Sequence, residues 1–287
     1  MFVRDGILFR STQLADPRIC HGFSTRLGGV STHPYTRSMN LAMGREDDDD
    51  TVRRNGEIFT AAVTNGELTA RGWVSASQIH STKVRIVTET NVGEGLYIPA
   101  GEDCDGFVTD VPGVLPVIRV ADCTPVLLFG TKADGSPVVG AVHAGWRGSA
   151  GGIVLEAVEK LVLLGAVREH IRAAIGAHIG TCCYEVGADL LESVTAMAGE
   201  AFAHAYCVPR CVDEAGVRKY GIRKYGIRKY TADLTGMNLH WLAQAGVDRS
   251  RVDVAPHCTM CDPDLFHSHR ATGGKRGAMA AMIGILP

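Results

Sequence analysis

No stretch of this 287-residue sequence is long and apolar enough to cross a bilayer as a helix. The opening MFVRDGILFRSTQLADP carries charges at Arg4, Asp5 and Arg10, so it lacks the uninterrupted apolar core of a signal peptide. The expectation is a soluble, cytoplasmic protein with no membrane partner. Charge of one sign is also missing: 29 Lys and Arg against 31 Asp and Glu leave a formal charge of −2, which gives no global attraction to nucleic acid or anionic lipid. Nor is there an even cysteine framework. Nine cysteines, in a chain that is 46% hydrophobic and able to bury a substantial core, fit reduced thiols better than structural disulfides. No long linker interrupts the sequence, so residues 1–287 are read as one domain.

One stretch runs against the neutral charge balance. Residues 216–230 read GVRKY GIRKY GIRKY, three tandem pentads that concentrate basic and aromatic side chains as a nucleic-acid-stacking surface would. A period of five matches neither the 3.6 of a helix nor the 2 of a strand, so Tyr220, Tyr225 and Tyr230 would not line one face. The repeat is therefore read as a surface insertion loop, and no nucleic-acid partner is assigned.

A steady strand–helix alternation is absent as well. CDGFVTD (104–110), VLPVIRVADC (114–123), PVLLFG (125–130) and PVVGAVHA (137–144) are short β-branched segments divided by Pro-Gly, Thr-Pro and Asp-Gly-Ser. The links are too short for helices, which predicts antiparallel neighbours. Helical patterns cover 149–164, about 186–199 and 231–245, with Gly246 as a stop. Strand-like segments at 172–180 and 251–258 intervene, and the apolar AMAAMIGIL closes the chain. The acidic run Glu46 to Asp50 reads as a solvated loop. Strands and helices mixed in this way predict an α/β (α+β) fold of mixed sheets with helices layered outside.

Three polar residues stand where strands give way to turns: His80 in SASQIHSTKV, Cys123 in RVADCTPVLL and His143 in GAVHAGWRG. Each alone is compatible with an inert packed residue. Together they are zinc-ligand types, and three protein ligands leave a fourth position open, the catalytic pattern. The same residues permit a different chemistry, in which His143 activates Cys123 as a nucleophile for amide or acyl transfer.

HGFSTRLGGVS (21–31), Pro34-Tyr35, MNLAMG (39–44), CDGFVTD, RVADCTPVLLF, VVGAVHAGWRG, IGAHIGTCCYEVG (175–187), DLTGMN (233–238), HCT (257–259) and FHSHR (266–270) together resemble the bacterial laccase-domain family. That family is also described as polyphenol oxidase, as peptidoglycan editing factor and as purine nucleoside phosphorylase. The resemblance runs in order along nearly the whole chain. It implies a single-domain α/β/β/α sandwich and, carried over by motif, His80, Cys123 and His143 as metal ligands. A multicopper oxidase needs many histidines, often in His-x-His pairs. The sequence has 11 histidines and one such pair, His267 and His269, so a single zinc site is expected, although copper also binds such donors.

The activity implied is phosphorolysis of purine nucleosides (adenosine, inosine, methylthioadenosine) with adenosine deaminase as a side activity, so nucleoside and phosphate are the expected partners. An amidase editing a peptidoglycan precursor is the alternative. The turn after His143 offers Gly145, Arg147 and Gly148 for phosphate. Arg26, beside the glycines of STRLGG, is a second anion-binding candidate. Asn40 and Arg270 lie in segments shared with the family and complete the substrate set. Asp122, next to the ligand cysteine, is the candidate for proton transfer, with a structural role as the alternative.

HCTMCDPDLFHSH (257–269) matches a small zinc knuckle in ligand type, yet its gap is short for structural zinc. The resemblance accounts for Cys258 without metal, leaving Cys261, His267 and His269 as local variation and the Cys182-Cys183 pair as buried packing.

Overall fold

The computed structural model describes residues 1–210 and 229–287. Its strands are β1 (Phe2–Asp5), β2 (Leu8–Ser11), β3 (Ile19–Ser24), β4 (Trp73–Val74), β5 (Val84–Ile86), β6 (Gly106–Thr109), β7 (Leu115–Val120), β8 (Thr124–Thr131), β9 (Pro137–Ala144), β10 (Arg172–Ile175), β11 (Glu185–Val186), β12 (Cys207–Arg210), β13 (Lys229–Ala232), β14 (Val252–Val254) and β15 (Met279–Ile285). The helices are α1 (Asp49–Thr64), α2 (Trp146–Gly151), α3 (Ile153–Leu163), α4 (Ala188–Ala198), α5 (Glu200–Tyr206), α6 (Leu234–Gln244) and α7 (His269–Thr272).

Two six-stranded sheets carry the architecture, in the orders β1-β2-β3-β15-β7-β4 and β14-β10-β8-β9-β6-β5; a small third sheet runs β11-β13-β12. Both large sheets are mixed. β4 pairs parallel to β7 in the first, and β5 with β6 and β10 with β14 pair parallel in the second. The closing apolar run becomes β15, antiparallel to both β3 and β7, and all seven of its residues are buried. A strand covered on both faces reads as continuous apolar sequence rather than as alternation.

The two sheets face each other across a shared core, in which Phe23, Ile118 and Ile283 of one meet Phe107, Leu127 and Phe129 of the other. Phe59 and Val63 of α1 cover the first sheet over Trp73 and Leu115. Val154, Val158 and Leu161 of α3, with Leu242 of α6, cover the second. The order helix, sheet, sheet, helix is the predicted α/β/β/α sandwich.

Local readings shift in instructive ways. β8 and β9 pair antiparallel along their whole length, as their short link predicted, and β9 also pairs antiparallel with β6, a partner the links did not predict. β7 does not join them, because its three-residue link to β8 crosses from one sheet to the other instead of turning back. Asp122 stands in that crossing at φ 87°, a left-handed conformation that few side chains adopt. The 149–164 helix divides into α2 and α3 at Gly152, whose φ of 79° a residue with a Cβ adopts only with strain. The acidic run is not simply a loop: Asp48 caps α1 by accepting from the Thr51 amide, with Asp49 and Asp50 in the first turn, where negative charge meets unpaired N–H groups. Of the pentad repeat, Lys229 and Tyr230 open β13, with Tyr230 buried; residues 216–228 lie outside the described part of the chain.

Among the described residues no helix is long and apolar enough to cross a membrane. Phe107, fully buried between the sheets, gives a direct check on the core. Phe107→Ala is expected to lower unfolding stability by about 3–5 kcal/mol in urea titration; a loss below about 1 kcal/mol would mean that the two sheets do not share this core.

Candidate functional site

His80 sits on the loop that follows β4. The Gln78 side chain extends that strand's pairing: its amide nitrogen donates to the Arg119 carbonyl and its oxygen accepts from the Arg119 N–H, both at 2.7 Å. The next turn wraps around a carboxylate. Asp105, fully buried just before β6, accepts from the backbone N–H groups of Ile79, His80 and Ser81 at 3.3, 3.0 and 2.6 Å and from the Ser81 hydroxyl at 2.7 Å. His80 is held there at φ 60°. Three described residues other than glycine have positive φ, and two of them, His80 and Asp122, flank this site, where such conformations persist only when the surroundings enforce them.

The same Asp105 carboxylate holds His143, whose Nδ1 lies 2.8 Å from Oδ1. His143 is in β9, in register with Pro125 of β8, so strand pairing alone brings it beside Cys123. The His80 and His143 rings meet edge to face at 4.9 Å, and Cys123 Sγ lies 3.8 Å from His80 Nε2. One donor atom from each of the three falls within 4.8 Å of the others. Donors at zinc bonding distance, about 2.0–2.3 Å from a common centre, need only a small inward adjustment from this arrangement. The two-nitrogen, one-sulfur set fits a borderline-soft divalent ion, and the His143–Asp105 bond is the outer contact such ligands usually make.

Charge follows from the packing. Burial pushes the Cys123 thiol up, but the neighbouring His143 and His80 outweigh it and bring it down to about 6. Burial pushes His143 down, while Cys123 and Asp105 outweigh that and lift it to about 9. Asp105 is below the usual carboxylate range: burial raises it, and hydrogen bonds from His143 and Ser81 overcome the rise. Without metal, the pair is a thiolate beside an imidazolium.

The trio lies between two cavities. A cleft of about 630 Å³ reaches His80, Cys123 and His143 and is walled by Arg45, Arg53, Arg119 and Arg276 together with Leu96, Tyr97, Ile98 and Pro99. A smaller cavity of about 160 Å³ touches His80, Asp122 and Cys123 and is bounded by Trp146, Arg147, Ile179, Tyr184 and Leu234. Arg53 is neutralised by Asp49 and Asp50. Arg45, Arg119 and Arg276 have no carboxylate partner among the described residues. Burial alone pulls Arg119 down to about 10, and the buried Nε of Arg276 makes no hydrogen bond.

The other residues singled out in the sequence fall in different places. Gly145 is needed for close approach, since a Cβ there would lie 2.6 Å from the His80 ring, and a Cβ at residue 148 would lie 3.1 Å from the Ser81 carbonyl oxygen. Both glycines are buried. Arg147 stacks on Trp146 at 4.2 Å, at the small cavity. Arg270 stacks on Tyr184 at 5.2 Å and donates to the Glu185 carbonyl.

Arg26 lines neither cavity; its guanidinium clamps the carbonyls of Arg37 and Pro263. Asn40 is fully buried, bonded to Asp47, Ala42 and Ala278. It shapes the cleft wall from behind. Both Asp122 oxygens are engaged, accepting from the Thr259 hydroxyl and the Arg270 N–H, each at 2.6 Å, and these bonds hold the crossing corner beside Cys123.

Asp105, Arg45, Arg119 and Arg276 were not singled out in the sequence. Arg119 had a visible signal, a charge inside the apolar strand LPVIRV. Asp105 had a weaker one, an acid at the entry of an otherwise apolar strand.

The charge state can be tested in chelator-treated protein. Because the thiolate is the nucleophile, a depressed thiol shifts the onset of alkylation to lower pH. Iodoacetamide labelling of Cys123, followed by peptide mass spectrometry, is expected to rise through pH about 6, whereas Cys20, Cys104 and Cys207, pushed up to about 11 by burial, stay unlabelled. A midpoint for Cys123 at the ordinary value near 8.5 would contradict the ion pair.

Residues 20–286 match the family model described as multi-copper polyphenol oxidoreductase laccase. The chain is 33% identical to the purine nucleoside phosphorylase YlmD of Geobacillus stearothermophilus over 270 residues, covering 92% of this chain and 89% of that protein. It is 29% identical to the adenosine deaminase RL5 of an unknown prokaryotic organism, over 89% and 90% of the two chains. The crystal structure of the hypothetical protein YfiH from Bacillus licheniformis superposes with a TM-score of 0.83 at 28% identity, covering 99% of this chain and 98% of that one. With the same layered fold and a match along nearly its whole length, the chain belongs to the multi-copper polyphenol oxidoreductase laccase family, whose relatives include enzymes named for purine nucleoside chemistry.

Proposed function

We propose that this chain is a zinc-dependent purine nucleoside phosphorylase acting on adenosine, inosine and methylthioadenosine, with deamination of adenosine as a side activity. The observation that carries the reading is the company the trio keeps: three arginines without carboxylate partners wall the cleft that reaches His80, Cys123 and His143. Arg119 and Arg276 are half-buried cations without counter-ions, which favour an anion in the space they share with the exposed Arg45, and guanidinium groups match phosphate oxygens in geometry. The apolar side of the cleft, Leu96, Tyr97 and Pro99, suits a purine face.

In phosphorolysis the C1′–N9 bond breaks, a phosphate oxygen bonds to C1′, and the purine leaves with the electron pair and takes up a proton. Arg45, Arg119 and Arg276 bind and orient the phosphate in this scheme. His80, Cys123 and His143 would hold the metal, with Asp105 accepting Nδ1–H of His143 so that Nε2 faces the trio. When bound, the ion supplies Lewis-acid stabilisation of charge that develops in the cleft. Asp122 keeps the corner beside Cys123 in place.

A second reading has its own observation. Cys123, His143 and the buried Asp105 also form a nucleophile, base and orienting acid, the set an amidase or acyl transferase uses. Metal content separates the two: loss of one equivalent of zinc per chain in Cys123→Ser favours the phosphorylase, and amidase activity of the unaltered protein with a zinc content that Cys123→Ser leaves unchanged favours the triad.

Zinc-loaded protein is expected to release hypoxanthine from inosine only when phosphate is present, and His80→Ala to abolish the release. Arg276→Gln should raise the KM for phosphate about tenfold or more while the KM for inosine changes little, the loss of one charged contact being worth about 1.5–3 kcal/mol. Release that needs no phosphate, or survives His80→Ala, overturns the proposal. Asp105→Asn is expected to weaken zinc binding about 10–100-fold in a chelator competition, and unchanged affinity would remove Asp105 from its role.

A further inference from the structure

Four cysteines converge away from the cleft trio. Cys182 and Cys183 lie on the loop after β10, and Cys258 and Cys261 on the loop after β14; these two strands are parallel neighbours, so their loops leave the sheet side by side. A bridge between His178 and Cys258 continues the pairing into the loops. The four sulfurs all fall within 4.8 Å of one another, with Cys183 and Cys182 Sγ at 3.4 and 3.6 Å from Cys261 Sγ. A tetrahedral ion with bonds of about 2.3 Å to sulfur requires sulfur–sulfur separations of about 3.8 Å, close to these values.

The surroundings are also those of a thiolate centre. The Gly180 N–H donates to Cys258 Sγ at 3.2 Å, and the Cys261 N–H donates to the Cys258 carbonyl at 3.1 Å, closing a tight turn between the two cysteines. Residue 180 is closely packed against the cluster: a Cβ there would come 3.3 Å from Cys182 Sγ and 3.4 Å from Cys258 Cβ. Three of the cysteines are half-buried and Cys261 is exposed, which leaves a route for an ion. The histidines of the sequence-level knuckle do not take part: His267 is buried against the Met39 carbonyl, and Cys182 and Cys183 stand where that reading expected them.

We infer that Cys182, Cys183, Cys258 and Cys261 form a second metal site, a four-thiolate centre for zinc whose role is structural. The inference does not depend on the phosphorylase reading. What the centre holds together is specific. Thr259, between two of its cysteines, donates to Asp122, and the Ile179 N–H donates to the Asp122 carbonyl at 2.9 Å. Ile179 and Tyr184, on the Cys182-Cys183 loop, wall the small cavity beside Cys123. The ion would tie both loops to the corner that carries Cys123.

The test uses full-length protein purified under reducing conditions with zinc present. Cys123→Ser, which disables the cleft trio, is expected to retain about one equivalent of zinc per chain, and the further change Cys261→Ser to remove it. Cobalt substitution of Cys123→Ser should give the intense thiolate-to-metal and tetrahedral bands of a sulfur-rich site. Should Cys261→Ser fail to fold, native-state maleimide labelling of Cys123→Ser keeps the test open: all four cysteines should be protected until a chelator is added and labelled at least tenfold faster afterwards. Cys123→Ser protein without metal, a cobalt spectrum lacking those bands, labelling indifferent to chelator, or disulfides among the four under these conditions each overturns the inference.

Discussion

The buried carboxylate of Asp105 is the constraint on which the site depends. A charged group without solvent needs several partners, and Asp105 has them: three backbone amides and a hydroxyl from the His80 loop, and the His143 ring. Satisfying the charge fixes the path of one loop and the orientation of one ring together. The two histidines come from different parts of the chain, and this carboxylate is their common reference. Cys123 is brought to them by an independent device, the pairing of β8 with β9.

Around that trio the fold distributes work between its layers. The crossing from β7 to β8 places Cys123 where one sheet passes the chain to the other, and Asp122 pins the crossing to the loops beyond β10 and β14. β7 also contributes Arg119, a half-buried cation in an otherwise apolar strand, whose guanidinium donates to the Ala76 and Gly95 carbonyls. Arg276 reaches the same cleft from just before β15. Of the residues the proposed chemistry uses, His143 and Arg119 lie in strands, while His80, Cys123, Arg45 and Arg276 stand on the segments between elements.

Much of this was legible in the sequence. Apolar runs interrupted by turn residues located β6 to β9 to within three residues at each end, because both large sheets are covered on each face and their strands need no alternation. His80, Cys123 and His143 stood out as reactive types at strand ends, and the family resemblance joined them. Pairing between sheets was not legible, since a three-residue link serves a crossing as well as a hairpin. The arginines divided in the same way: Arg26 and Arg147 drew attention for their glycine neighbours, yet Arg26 clamps two carbonyls and Arg147 stacks on Trp146. Whether an arginine has a counter-ion is a property of tertiary contacts, so Arg45, Arg119 and Arg276 emerged only in three dimensions. The four cysteines make the same point, since the spacing within 257–269 suggested the wrong partners for Cys258 and Cys261.

The central claim is that one cleft combines a metal-binding trio with an anion site for phosphate attack at C1′. Phosphorus NMR during inosine turnover by zinc-loaded protein addresses it most directly. The account predicts a sugar phosphate ester resonance that grows one for one with hypoxanthine while inorganic phosphate declines. Hypoxanthine accompanied by free ribose, with inorganic phosphate unchanged, would contradict it.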